Sequence, residues 1–243
     1  MTTTTRPVYM SKLTIEGFQN FFRYFDGEPQ QLEGTAELWK AMPVSLLEED
    51  AEWIKAFRAK PEIIPSDEVL LDVPFDCQLT NPSGDGWREC CSSSCAMMAK
   101  FHLPSLEIND YHRRRPQFGD STDPSAQIRC LNSFGLAAKF SQVGSVEKLK
   151  DVLRSGLPAA LGFLHHGTPQ NPSGGGHYLC GIGFTSEHLA AHDPYGEMNL
   201  MAGSYPNPGP GGKNVRYSWK NWAPRWSVSS DHDGWGILVT GKL

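Results

Sequence analysis

The stretch that most constrains this chain runs from Trp87 to Phe101, where a polar, thiol-bearing segment turns into an apolar one. From Cys95 to Phe101 only Lys100 is charged, which is typical of a helix buried inside a domain rather than an amphipathic surface helix. The serines at 92, 93 and 94 suit a first helical turn, since their hydroxyls can bond free backbone N–H groups. The positive end of the helix dipole favours the thiolate form of a cysteine placed there. The sequence therefore predicts a nucleophilic cysteine at the start of a buried helix.

Size and charge exclude several classes of protein. A chain of 243 residues can bury one large core, or a medium core with a small extra module. The net charge of -5 and a longest basic run of only Arg113 to Arg115 argue against nucleic-acid binding. No apolar stretch is long enough to span a membrane, and the N-terminus lacks a signal-peptide core. We therefore expect a protein made in the cytoplasm without a signal peptide.

The six cysteines are scattered among apolar segments instead of forming a regular framework. This spacing favours free thiols over disulfides. Zinc is the competing interpretation of Cys90, Cys91 and Cys95, but adjacent cysteines followed by a three-residue gap are not a usual zinc knuckle. No second cysteine pair lies nearby in the sequence. We expect no metal and no organic cofactor.

The pattern along the chain changes near residue 61. Apolar residues recur at helical spacing before Lys60, which predicts a small helical module over residues 1–60, able to bind a partner or cell wall. Residues 61–72, with two prolines and an acidic end, read as a linker. From Val73 to Leu243 the chain alternates helices, apolar strands and glycine-rich turns, as expected for the main domain. Helices are predicted over 90–102, 125–134 and 146–154, and core strands over 158–164, 178–184 and 236–239.

Three further residues could complete a thiol-based site. His177 follows three glycines at the mouth of an apolar strand, and a neutral-range imidazole suits proton transfer with a thiol. Asp193 ends the next predicted strand, so an antiparallel pairing of the two strands would bring its carboxylate to His177. Gln78 offers an amide donor in the segment that leads to Cys90. Together these residues match the needs of a nucleophile, a base, an orienting group and an oxyanion donor.

Other side chains leave two alternatives open. His165, His166 and His192 could bind a metal, although no carboxylate or cysteine stands at ligand spacing beside them, which favours polar loop residues. The tryptophans near the C-terminus could line a sugar- or peptide-binding groove, or could pack in the core, which is the commoner role of such residues. These are Trp219, Trp222 and Trp226.

The same residues resemble the bacteriocin-leader-peptidase-like cysteine peptidases of the papain superfamily. The resemblance rests on the segment Val73 to Gln78, on Gly176-His177, on Asp193-Pro194-Tyr195-Gly196 and on the helix start. That family's helix start resembles Cys-Gly-Pro-Thr-Ser-x-Ala-Met, and the stretch from Cys90 to Met97 is similar to it at Cys, Ser, Ala and Met. Cys91 stands where the family tends to have Gly. The register favours Cys90 as the nucleophile and leaves Cys91 as the second candidate.

The resemblance implies an α+β, papain-like fold with a central buried helix packed on an antiparallel sheet, preceded by the helical module. It implies amide hydrolysis through a thioester, with Cys90 as nucleophile, His177 as base, Asp193 as orienting group and Gln78 in the oxyanion hole. We expect the substrate to be a peptide crosslink of peptidoglycan, as for a phage endolysin or a virion-borne endopeptidase that reaches the wall at lysis. The alternatives are a protease acting on a protein or on itself, and a catalytically silent module that binds wall or virion.

Overall fold

The computed structural model describes residues 68–243, so the predicted helical module over 1–60 lies outside the described residues. The chain enters the sheet at a short strand, β1 (Val69–Leu70), which pairs antiparallel with Phe184 and Gly183. These two apolar residues lie in the range 61–72 that the sequence suggested as a linker. The division of the chain into a module, a linker and a main domain stays a prediction.

A central helix, α1 (Cys90–His102), is the predicted buried helix with the same bounds. Every residue from 91 to 99 is buried, and the helix packs against two strands of the main sheet. The serines of its first turn are buried and do not act as caps. Ser92, for example, accepts a hydrogen bond of 2.9 Å from the side-chain amide of Gln127. The expected capping role is wrong, because the helix start itself is enclosed by the domain.

One antiparallel sheet supports α1. Its main strands are β2 (Leu136–Gly144), β3 (Ala159–Phe163), β6 (His177–Phe184), β7 (His188–His192), β8 (Val215–Ser218) and β9 (Gly234–Lys242). They lie in the order β2-β9-β3-β6-β7-β8, and β1 pairs with β6. All five residues of β3 are buried, as expected for a strand in the middle of a covered sheet.

Four shorter helices surround this core. They are α2 (Ile108–Arg114), α3 (Pro124–Ser133), α4 (Val146–Arg154) and α5 (Trp219–Trp226). Helix α4 begins as predicted, since the side chain of Ser145 accepts a hydrogen bond from the Lys148 N–H. Helix α3 begins one residue earlier than predicted, with the Asp123 side chain as its cap. Both helices therefore begin at a residue whose side chain caps the first turn.

Two helices and one hairpin were not predicted. Helix α2 is short, and the hairpin of β4 (His166–Thr168) with β5 (Asn171–Ser173) lies in a glycine-rich stretch. Helix α5 contains Pro224 in its last turns. Proline normally argues against a helix interior, but tertiary packing holds this one: Trp222 and Trp226 are buried and stack with ring centroids 5.3 Å apart. Core packing is thus the observed role of these two tryptophans.

The observed architecture is the predicted one, a buried helix on an antiparallel sheet in an α+β arrangement. Within residues 68–243, no helix is both long enough and apolar enough to cross a membrane.

Candidate active site

Cys90 is the first residue of α1. Its side chain is half-buried, and its sulfur interacts electrostatically with the imidazole of His177. The first backbone N–H groups of a helix have no partner within the helix, so they point at whatever binds in front of the sulfur. The thiol at this position is therefore partly accessible, and it lies beside a base and beside the N–H donors of the helix start.

His177 is the first residue of β6 and lies opposite Phe163 of β3, so the middle of the sheet fixes its backbone. Its ring is 6% exposed and packs edge-on against Phe163, with ring centroids 5.5 Å apart. The Nε2 atom lies 2.8 Å from Oδ1 of Asp193. Because Nε2 is engaged by the carboxylate, Nδ1 is the nitrogen left to face the Cys90 thiol.

The electrostatic setting keeps the His177 ring protonated. Burial of the ring opposes its positive charge, but the Asp193 carboxylate and the Cys90 sulfur outweigh burial and raise the pKa of His177 from 6.5 to about 10. At neutral pH the ring is therefore an imidazolium. An imidazolium beside a cysteine favours the thiolate, which is the nucleophilic form of the side chain.

Asp193 follows β7 directly and is fully buried. Its Oδ1 accepts hydrogen bonds from His177 and, at 3.1 Å, from the backbone N–H of Tyr195. Its Oδ2 accepts from the hydroxyls of Tyr205 and Tyr217, each at 2.9 Å. A carboxylate can be buried at acceptable cost only when its lone pairs are satisfied in this way. The carboxylate is thus fixed in position behind the imidazole.

The sequence did not identify the two tyrosines as part of this site. Tyr217 lies on β8, which pairs with β7, and Tyr205 comes from the long loop after Asp193. Nothing in the spacing of Tyr205 marks it, since its loop follows no period. Tyr217 had one usable signal: on a strand beside the one that ends in Asp193, a tyrosine hydroxyl can reach the carboxylate.

Gln78 is buried in a short 3-10 turn, Gln78–Thr80, and its backbone N–H donates to the Pro194 carbonyl at 2.9 Å. This bond ties the turn to the residue after Asp193. The side-chain Nε2 donates to the Gly86 carbonyl at 2.6 Å. An amide nitrogen carries two hydrogens, so one N–H remains for an oxyanion. The 3-10 turn that contains Gly86 leads directly into Glu89 and Cys90, which places Gln78 beside the helix start.

The two candidate nucleophiles, Cys90 and Cys91, lie in different surroundings. Cys91 is 1% exposed and packs in the core, where burial and a hydrogen bond with Cys95 raise the pKa of its thiol well above the usual value. A buried thiol of that kind is chemically inert. Cys95 is also fully buried. Of the three cysteines of α1, Cys90 is the one whose sulfur contributes to the raised pKa of His177.

We expect Cys91→Ala to leave catalysis within a factor of about three of wild type, and to lower the free energy of unfolding by about 1 kcal/mol through loss of a buried sulfur. Steady-state kinetics and urea unfolding measure the two effects. Alkylation by iodoacetamide, mapped by mass spectrometry, should still label Cys90 in this variant. Loss of activity in a folded Cys91→Ala protein would move the nucleophile to Cys91.

The other histidines do not build a metal site. His192 is buried, its Nε2 lies 2.8 Å from the Val73 carbonyl, and its Nδ1 accepts the Asn214 N–H at 3.1 Å, so it is a structural residue. His165 and His166 stack against each other with ring centroids 4.0 Å apart. Among residues 68–243 no group of three or more histidine, cysteine or acidic side chains is arranged to hold a metal ion.

The fold and the arrangement of Cys90, His177 and Asp193 define a papain-like domain with a thiol–imidazole–carboxylate site. No family model matches the chain, and no curated protein matches it either. Among solved structures, the chain is similar to a putative C39-like peptidase from Bacillus anthracis, with a TM-score of 0.50 and 15% identity over 72% of this chain and 99% of that one. This likeness confirms the predicted fold class.

Two further solved structures have lower scores. One is a double glycine motif protease from an AMS/PCAT transporter in complex with the leader peptide, with a TM-score of 0.43 and 15% identity over 71% of this chain and 95% of that one. The other is the peptidase domain of Streptococcus ComA, a bifunctional ABC transporter involved in quorum sensing, with a TM-score of 0.39 and 15% identity over 63% and 92%.

Proposed function

We propose that this chain is a cysteine peptidase that hydrolyses an amide bond in a peptide or protein substrate. The observation that carries the proposal is the contact chain from the Cys90 thiol through His177 to the buried Asp193 carboxylate, with 2.8 Å between the last two. A nucleophile, a proton carrier and an orienting carboxylate in this order are what thiol-based acyl transfer requires.

The reaction follows from these positions. The Cys90 thiolate attacks the carbonyl carbon, and the negative oxygen that forms is bound by the free Gln78 amide N–H and the Cys90 backbone N–H. The His177 imidazolium then gives its proton to the amine as the C–N bond breaks, which leaves a thioester on Cys90. The now neutral His177 takes a proton from water, the resulting hydroxide attacks the thioester, and the acid leaves as the thiolate re-forms.

The surroundings of the site favour a peptide with apolar side chains. Trp87 is 70% exposed and Leu79 is 41% exposed, and each is close in sequence to a residue of the site, Cys90 and Gln78 respectively. Exposed large apolar side chains beside a reactive group are typical of a binding surface. The peptidoglycan crosslink, the endolysin role and the virion setting stay predictions that rest on the sequence resemblance.

The test is a comparison of substrates with one matched variant. Wild type and Cys90→Ala are incubated with a mixed-sequence peptide library, with the intact protein itself and with purified peptidoglycan, and products are identified by mass spectrometry. The proposal expects new amine ends from peptides in the wild-type sample alone. Release of wall fragments with new amine ends but no new reducing sugar ends would assign the crosslink as substrate. Wall binding without any Cys90-dependent cleavage would contradict the enzyme and favour a silent module.

A further inference from the structure

Arg225, in the last turn of α5, is fully buried and is not used by the reaction described above. Its two terminal nitrogens donate to four main-chain carbonyls. Three of them belong to one segment, with Leu164 at 3.1 Å, His166 at 2.9 Å and Gly167 at 2.7 Å. The fourth is the carbonyl of Leu200. The guanidinium therefore joins two chain segments that are more than thirty residues apart.

Each of these segments leads to a residue of the site, the first to His177 and the second to Tyr205. The first connects β3 to the β4–β5 hairpin, and that hairpin leads into His177. The second is the turn that contains Leu200 and leads to Tyr205, where the Asn199 carbonyl accepts the Gly203 N–H at 2.9 Å. The two segments also pack backbone on backbone: a Cβ added to Gly203 would lie 2.2 Å from the Gly167 carbonyl oxygen. Only glycine allows this approach.

Tyr205, which directly follows the second segment, contacts both Asp193 and His177. The Tyr205 hydroxyl donates to Oδ2 of Asp193 at 2.9 Å, and its ring lies 5.2 Å from the His177 ring. One side of His177 therefore faces β3, the strand that precedes the first segment. The other side faces Tyr205, the residue that follows the second segment. A change in the distance between the segments would move Tyr205 away from the carboxylate that orients the imidazole.

A buried guanidinium is an unusual choice for joining two loops. Desolvating a cation is costly unless hydrogen bonds replace water, and here main-chain carbonyls do so. The planar fork of arginine can address several carbonyls on two segments at once, whereas a lysine ammonium is a single point that cannot span them. Within the described part of the chain, all the hydrogen bonds of the guanidinium end on carbonyls, so the charge organises backbone rather than pairing with an acid.

We propose that Arg225 is a positioning residue: it holds the segments 164–167 and 199–204 together, so that Tyr205 fixes Asp193 and Asp193 fixes His177. This inference rests on the proposed function, because the orientation of the His177 imidazole by way of Arg225 matters only if that imidazole takes part in a reaction. It predicts that Arg225 acts on the site through the Tyr205 hydroxyl and not through general stability.

A double-mutant cycle tests this coupling without any substrate. The rate of Cys90 alkylation by iodoacetamide at pH 6 is measured for wild type, Arg225→Lys, Tyr205→Phe and the combined variant, and the labelled site is mapped by mass spectrometry. We expect Arg225→Lys and Tyr205→Phe each to slow alkylation about tenfold. The combined variant should be less than about threefold slower than Tyr205→Phe alone, because the Tyr205 hydroxyl through which Arg225 acts is then absent. The matched control is Arg115→Lys, since Arg115 is also buried and contacts Glu89 and the Gly119 carbonyl. In the double variant of Arg115→Lys with Tyr205→Phe, the reduction in alkylation rate should equal the product of the two single reductions.

Each outcome decides the question. Effects of Arg225→Lys and Tyr205→Phe that simply multiply would overturn the proposal, as would a folded Arg225→Lys protein that is alkylated at the wild-type rate. If Arg225→Lys does not fold, Gly203→Ala replaces it in the cycle, since it disturbs the same junction from its other side. Because alkylation needs no turnover, the cycle can fail while Cys90-dependent cleavage is intact, and it can succeed on a protein that cleaves nothing. The two proposals are therefore separable.

Discussion

Cys90→Ala is expected to lower kcat/KM for peptide cleavage by roughly 10⁴-fold or more, because removal of a covalent nucleophile leaves only the residual effect of oxyanion binding and substrate positioning. The change removes one half-buried sulfur at the first position of α1, so the free energy of unfolding should stay within about 1 kcal/mol of wild type. Steady-state kinetics and urea unfolding measure both quantities.

The control for this variant is Cys91→Ala, the adjacent residue on the same helix. It also removes a single sulfur atom, but this sulfur lies in the core and not beside His177. A pair in which Cys90→Ala is inactive and Cys91→Ala is active locates the chemistry on one side chain. Equal activity of wild type and Cys90→Ala on every substrate would exclude a thioester at Cys90.

Asp193→Asn should have the second largest effect, a fall in kcat on the order of 100-fold, because the amide oxygen can still accept the imidazole N–H but the neutral amide does not stabilise the charge of the ring. The same change should lower the pKa of His177 from about 10 towards its ordinary value near 6.5, since the attraction of the carboxylate is lost while burial still opposes the charge. The ring ¹⁵N chemical shifts of His177 as a function of pH measure this directly.

The raised pKa of His177 also has a consequence for stability, with a defined sign. A group whose folded pKa is higher than its unfolded value stabilises the fold fully below the unfolded pKa, and that contribution is lost as pH rises through the folded value. For His177 the window runs from about 6.5 to about 10. The unfolding free energy of wild type should therefore decline across this range more steeply than that of Asp193→Asn. If the unfolding free energies of wild type and Asp193→Asn change in parallel with pH, and the His177 titration is unchanged, then Asp193 does not raise the pKa of His177.

The sequence located the parts of the site that lie on regular elements. Helix α1 follows from its continuous apolar run, and the proximity of His177 to Asp193 follows from two apolar strands that pair antiparallel, with Cys180 opposite His192. Both are continuous apolar runs confined to one short stretch of sequence. Short-range regularity of that kind is what sequence reasoning reads best.

The parts that it missed depend on contacts between distant segments. Tyr205 reaches Asp193 from an irregular loop, and Arg225 reaches the Gly167 carbonyl from a helix that contains a proline. Neither residue stands at a spacing that indicates its partner, because loop geometry is fixed by packing and not by period. The buried state of the serines at 92 to 94 was missed for the same reason: a local capping preference was overridden by the enclosure of the helix start.

The central claim is that the Cys90 sulfur and the His177 imidazole act as one unit, and the pH dependence of Cys90 alkylation tests it most directly. The rate constant with iodoacetamide is measured from pH 5 to pH 9 in wild type and in His177→Ala, with the labelled cysteine identified by mass spectrometry. We expect a wild-type rate that changes little between pH 6 and pH 8, and a rate for His177→Ala that rises about 100-fold from pH 6 to pH 8, as for an ordinary thiol. Identical pH profiles for the two proteins would contradict it.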